Sequence, residues 1–172
     1  VTVHFASTMD GSQISNIIEN LNPETTVFII VSKSFTTIDT LSNAASAKAW
    51  LLSHCKNEKL IIKQHFIGIS TSEKSMAKWG IHSDHQLKLW DWVGGRFSLW
   101  STVGLSIALK IGMANFRLFL QGANSLDKHF FNSDLKENIP VLLGLVGVWN
   151  ANFLNQLGST ISTSVKIFSL VN

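Results

Sequence analysis

Residues Thr26 to Thr37 read TVFIIVSKSFTT, a short run of β-branched and aromatic residues that passes directly into a cluster of hydroxyls around one lysine. The run Thr26 to Val31 has the composition of a buried strand. Two more runs rich in Val, Ile and Phe, Val1 to Ala6 and Gln64 to Ser70, lie on either side of it. Between the first and second runs, Ile14, Ile17, Ile18 and Leu21 recur at helical spacing, and Asn22-Pro23 marks the stop before the next strand. Between the second and third, Ile38, Leu41, Ala45, Leu52 and Cys55 fall on one helical stripe, closed by the polar residues Ser53, His54, Lys56 and Asn57. Strands alternating with helices predict an α/β class, a parallel sheet flanked by helices, because a parallel crossover buries both faces of the sheet.

Working outward, Ser72 to Trp79 reads as a short helix and Leu87 to Leu89 as a small strand. Helical patterns follow through Val103 to Ile111, Phe116 to Leu120 and Pro140 to Phe153. The stretch Gly158 to Asn172 is rich in Ser and Thr, with interspersed Val, Ile and Leu, and holds neither an acidic residue nor a histidine. A chain of 172 residues with 45% hydrophobic content buries a sizeable core without disulfides or metals. The single cysteine, Cys55, points to a reducing compartment, the cytoplasm, and its helical stripe predicts a buried small hydrophobe. No stretch reaches the roughly 20 apolar residues of a membrane span, and Val141 to Val148 is interrupted by Gly144 and Gly147, so no membrane association is expected. Val1 to Ala6 does not read as a signal peptide. A scattered net charge of +3 gives no basic face for nucleic acid.

Open parallel sheets bind ligands outside the carboxyl ends of their strands, which directs attention to Ser32-Lys33-Ser34-Phe35-Thr36-Thr37. Hydroxyl donors, one ammonium group and the N–H groups of a helix start together suit a phosphate dianion. The same residue types equally suit an N-cap and a polar loop. A second constellation is WDWVGGRFSLW at Trp90 to Trp100, where Gly94 and Gly95 permit backbone shapes closed to other residues and place Arg96 directly beyond them. A fixed guanidinium stabilises a developing oxyanion. Alternatively, Arg96 pairs with Asp91 or caps a carbonyl while the tryptophans fill the core. His82 and His85 stand three apart, but no further Cys, His or carboxylate cluster completes a metal site. His4, His54, His65 and His129 show no catalytic spacing. Gly94-Gly95 completes neither a dinucleotide fingerprint nor a P-loop.

Three strings, VHFASTMDG at Val3 to Gly11, SKSFTT at Ser32 to Thr37 and above all WDWVGGRFSLWS at Trp90 to Ser101, resemble the corresponding segments of the phosphoglucose isomerase family. Their order and spacing agree with that family, and the resemblance runs from about Val1 to Phe153. It implies a sugar-isomerase (SIS) domain over residues 1–157 and a divergent tail over 158–172. By the same resemblance, Ser32, Ser34 and Thr37, with Lys33 beside them, grip the substrate phosphate, Ser34 standing where threonine is commoner. Gly95 and Arg96 adjoin the reacting carbons of the sugar, with Arg96 stabilising the enediolate. The implied reaction interconverts glucose 6-phosphate and fructose 6-phosphate through a cis-enediol, without metal or organic cofactor. It belongs to glycolysis and gluconeogenesis and is carried out by a homodimer.

The family pattern also includes segments that do not match here. A Gly-Ile-Gly-Gly-Ser-Asp phosphate loop is expected upstream of Val1. The glutamate that moves the proton, the ring-opening histidine and a late lysine are expected downstream of Phe153. The last carboxylate side chain is Glu137, so the tail offers no base, and arginine stays protonated. The expectation is a partial isomerase domain, inactive alone. The alternatives are a non-catalytic sugar-phosphate-binding module and a decayed remnant with open sheet edges.

Overall fold

In the computed structural model, which describes residues 1–8, 10–154 and 168–171, the elements run in the following order. The first half holds β1 (Val3–Phe5), α1 (Gly11–Ile18), β2 (Val27–Val31), α2 (Ile38–His54), α3 (Glu58–His65), β3 (Phe66–Ser70), α4 (Glu73–Trp79) and β4 (Gln86–Lys88). The second half holds α5 (Leu105–Ile111), α6 (Met113–Asn132), α7 (Ile139–Asn152) and β5 (Phe168–Val171). They form two compact units. One comprises Val1–Gly112 together with β5, and the other is built on α6 and α7.

The sheet of the first unit has the order β1-β5-β2-β3-β4. Strands β2, β3 and β4 are parallel, with Phe28 opposite Phe66 and Ile69 opposite Leu87. The α/β class and the helix-flanked parallel sheet are as the sequence predicts. β5 is the exception, since it lies between β1 and β2 and runs antiparallel to both. Each of its two neighbours would otherwise leave a row of backbone N–H and C=O groups without partners. Val171 meets Val3 on one side and Val27 on the other. A tail without strand-helix alternation gave no sign of this role.

The core follows from the pleat of β2. Phe28, Ile29 and Ile30 are fully buried, and successive side chains point to opposite faces. Phe28 and Ile30 join a cluster with Ile14 and Ile18 of α1, Ala44, Ala47 and Leu51 of α2, and Ile61 and Ile62 of α3. Ile29 joins Ile69, Leu89, Val93 and Val103 on the other face. Phe28 stacks on Phe66 at 5.2 Å between ring centroids and meets the edge of Trp50 at 6.1 Å.

Two local readings change. Asn57, read as part of a polar stop, is the N-cap of α3: its side-chain oxygen accepts from the Leu60 N–H at 3.1 Å. Gln64 therefore belongs to a helix rather than to the strand, which begins at Phe66. Cys55 is exposed, not buried, because α2 ends at His54 and the extended backbone at Cys55 (φ −139°) leaves the helical stripe.

In the second unit, Asn138 fixes the turn between its helices. Its amide donates to the Phe130 carbonyl at 2.7 Å and its oxygen accepts from the Val141 N–H at 3.3 Å. The imidazole of His129 accepts from the Ile139 N–H at 3.1 Å. Along α7, Leu143, Leu145, Val146, Val148 and Trp149 are all exposed. No helix among the described residues is long and apolar enough to cross a membrane.

Truncating the ring at the centre of the larger cluster tests this account. Phe28→Ala is expected to lower the unfolding free energy by about 3–5 kcal/mol, the usual loss for a buried phenylalanine, in urea titrations followed by tryptophan fluorescence.

Candidate functional site

β2 delivers the hydroxyl cluster at its carboxyl end. The Ser32 N–H still donates to the Ile69 carbonyl at 3.1 Å, and then the chain turns, with the Phe35 N–H donating to the Ser32 carbonyl at 3.2 Å. Phe35 has φ 55°, in the left-handed region that bulky residues avoid. Its side chain is nearly fully buried in the larger cluster. The strained backbone costs on the order of 1–2 kcal/mol, and burial of a phenylalanine side chain contributes about 1.5–3 kcal/mol, so the core holds the loop in shape.

Within that loop the hydroxyls face one another. Ser32 Oγ lies 3.1 Å from Thr37 Oγ1, and Ser34 Oγ lies 2.6 Å from Thr36 Oγ1. Thr37 occupies the N-cap position of α2, yet its side chain makes no capping hydrogen bond. Helix capping therefore does not account for this threonine. Its hydroxyl stays with Ser32 at the positive end of a 17-residue helix, a favourable place for an anion.

The second constellation follows β4. Val93 is buried in the smaller cluster, and two turns, Val93 N–H to the Trp90 carbonyl at 3.0 Å and Phe97 N–H to the Gly94 carbonyl at 3.2 Å, shape the segment. Arg96 is exposed, and among the described residues neither Asp91 nor any other carboxylate forms an ion pair with it. The tryptophans are not core residues. Trp92 is 81% exposed, and Trp90 and Trp100 are about half exposed and line a cleft of about 460 Å³ with Val93, Gly94 and Phe97. Neither Gly94 nor Gly95 adopts a positive φ, contrary to the expectation of a special backbone shape. A Cβ at Gly95 would meet nothing within 4 Å, so the surrounding fold does not itself require a glycine there.

Lys33 joins the two loops. Its ammonium donates to the carbonyls of Asp91 at 2.8 Å and Val93 at 3.0 Å. Its own carbonyl accepts from Ser70 Oγ at 2.8 Å, Thr71 Oγ1 at 2.7 Å and the Thr71 N–H at 3.0 Å. The structure thus brings Ser32, Lys33, Ser34 and Thr37 to the same sheet edge as Gly95 and Arg96, but turns the Lys33 ammonium onto backbone carbonyls. Sequence reasoning did not single out Ser70 and Thr71, although hydroxyls at the carboxyl end of β3 lie at the sheet edge where ligands gather. It also missed Asn43, a buried α2 residue whose amide donates to the Thr8 carbonyl at 2.9 Å and steadies the loop after β1.

Elsewhere the electrostatics are plain. The Asp10 carboxyl caps α1 by accepting from the Ser12 N–H at 2.9 Å, and that bond, with help from the Ser12 hydroxyl, holds its pKa below the ordinary value. Its support for α1 is present above the usual carboxylate range and is lost as pH falls through the lowered value. His82 and His85 flank a tight turn with ring centroids 6.4 Å apart. Among the described residues, no group of three or more His, Cys, Asp or Glu side chains is placed to hold a metal ion.

A parallel sheet covered by helices, with its polar loops gathered at the carboxyl edge, defines an α/β domain of the sugar-isomerase type. A crystal structure of a glucose-6-phosphate isomerase from Chlamydia trachomatis superposes on it with a TM-score of 0.72 at 28% identity, covering 87% of this chain and 30% of that one. The family model for phosphoglucose isomerase matches residues 1–167, past the Phe153 at which the resemblance was expected to stop. Glucose-6-phosphate isomerase of Psychrobacter cryohalolentis is 56% identical over 165 residues, which is 94% of this chain and 30% of that protein. Its counterpart in Acinetobacter baylyi is 57% identical over 155 residues. The chain belongs to the phosphoglucose isomerase family. It spans about 30% of the length of the curated relatives it matches.

An exposed arginine without an ion pair contributes little to folding. Arg96→Ala is expected to leave the unfolding free energy within about 0.5 kcal/mol of wild type in urea titrations.

Proposed function

We propose that this chain supplies the phosphate-gripping and oxyanion-stabilising part of a glucose-6-phosphate isomerase, which interconverts glucose 6-phosphate and fructose 6-phosphate. The observation that carries the reading is the exposed guanidinium of Arg96, without an ion pair among the described residues, on a loop fastened to the hydroxyl cluster through Lys33. In this reading Ser32, Ser34 and Thr37 donate to the phosphate dianion beside the N-terminus of α2. The bare backbone at Gly95 lets the sugar chain approach. Arg96 then lies beside the reacting carbons.

Moving a proton between two adjacent carbons leaves negative charge on the oxygens of the enediol intermediate. A cation fixed in advance lowers that barrier because it need not reorganise as the charge develops. Neither a metal nor an organic cofactor enters this reading. The proton itself requires a base, and hydroxyls and a guanidinium do not serve as one at neutral pH. The chain by itself is therefore read as binding the sugar phosphate without turning it over. The isomerase-type domain is read as continuing past residue 157, a reading supported by the family match through residue 167 and by β5 in the sheet. We place the protein in the cytoplasm and, in its full form, in a homodimer. The row of exposed apolar residues on α7 supports a covered surface of that kind.

Calorimetric titration with fructose 6-phosphate and a coupled assay for its conversion test the reading on the whole chain. Saturable binding without turnover is expected, weakened about five- to tenfold by Ser32→Ala and by Thr37→Val, the loss of roughly one hydrogen bond each. Absence of binding would refute the site. Turnover that disappears in Arg96→Ala would refute the claim of inactivity.

A further inference from the structure

We infer that Lys33 is a positioning residue that holds the arginine loop in place, and not a ligand of the phosphate. This assignment deepens the proposed function and rests on it where the sugar is concerned. An ammonium has three donors and no acceptor, and here two of them are directed at the carbonyls of Asp91 and Val93, at 2.8 and 3.0 Å. Both are charge-assisted bonds, stronger than those between neutral groups. The opposite end of the residue is fixed as firmly, since the Lys33 carbonyl takes two hydroxyls and one N–H from Ser70 and Thr71. One residue thus fastens the ends of β2 and β3 to the segment that follows β4. The buried Val93 and Leu89 also anchor that segment, and the Leu89 N–H donates to the Ser70 carbonyl at 2.8 Å, while Gly94, Gly95 and Arg96 beyond Val93 are exposed. The consequence is coupling: the hydroxyl loop and the guanidinium keep their spacing only while Lys33 spans them. The affinity of Arg96 for a sugar therefore depends on a side chain that does not touch the sugar.

The chain contains two arginines, Arg96 and Arg117, so an arginine-specific protease reads the loop directly, with Arg117 in α6 as an internal reference. Lys33→Met is expected to speed cleavage after Arg96 by about tenfold or more, as local opening becomes easier, while cleavage after Arg117 stays unchanged. Lys33→Arg, which keeps a charged donor for each carbonyl, is expected to restore slow cleavage. Unchanged cleavage after Arg96 in Lys33→Met would overturn the assignment. If Lys33→Met unfolds, both sites are cut faster and the milder Lys33→Gln decides: faster cleavage after Arg96 alone supports the role, and any other result overturns it.

A second arm separates positioning from direct contact with the anion. Lys33→Met is expected to weaken fructose 6-phosphate about tenfold, with no further loss when Arg96→Ala is added, since coupled residues are non-additive. Inorganic phosphate, which needs only the hydroxyl loop, is expected to change by no more than about twofold in the same variant. Equal losses for both ligands would mean that the ammonium contacts phosphate and would overturn the proposal. Should the wild type bind neither ligand, the proposed function fails while the protease comparison still decides the role of Lys33.

Discussion

Because Phe28, Ile29 and Ile30 are all buried, β2 cannot slip by one residue against β3 without exchanging the side chains of its two faces. Phe28 and Ile30 would enter the smaller cluster and Ile29 the larger, and neither has the shape to receive them. This register decides where Ser32 lies relative to Ile69 and Ser70, and so where the Lys33 carbonyl meets its donors. The geometry of the site is inherited from the packing of three apolar residues that never approach a ligand.

Phe35 extends the same dependence into the loop. A phenylalanine in the left-handed region is unfavourable locally, and a glycine would relieve the backbone. The buried ring is what keeps the turn closed, with the Ser32 and Thr37 hydroxyls at 3.1 Å. Local strain and core packing act against each other here, and packing prevails. An apolar side chain in the middle of a hydroxyl-rich segment is therefore part of how the cluster keeps its form.

Much of this was legible in the sequence, and the parts that were not share physical causes. Strands β2 and β3 stand out because parallel strands buried on both faces read as unbroken apolar runs. α2 is legible as a helix, but its buried face carries Asn43, Ala44, Ala47 and Leu51, whereas Ile38, Ala45 and Cys55 of the expected stripe are exposed. Helix α3 was hidden because it has only eight residues and begins at an Asn that serves equally as a stop. β5 was hidden because its pairing is antiparallel and remote, whereas periodicity reports only local repetition. At the site, residue types announced an anion and a cation, but not which donors were already engaged. The ammonium of Lys33 looks like a phosphate ligand in sequence, and only its distances to the Asp91 and Val93 carbonyls reveal where it points. The glycines before Arg96 suggested an unusual backbone, but neither adopts one.

The placement of β5 also governs the order of events during folding. β1 and β2 are separated in sequence by a single helix, but the strand that unites them comes from the opposite end of the chain. As the polypeptide emerges during synthesis, α1, β2, α2 and β3 can assemble early, from contacts close in sequence. The facing edges of β1 and β2 wait, unpaired, until β5 arrives. Contacts of such long range close slowly, since loop-closure entropy precedes any gain from pairing. In that interval two apolar strand edges are open to other chains. Assembly of this sheet is a race between its own last strand and a neighbouring molecule.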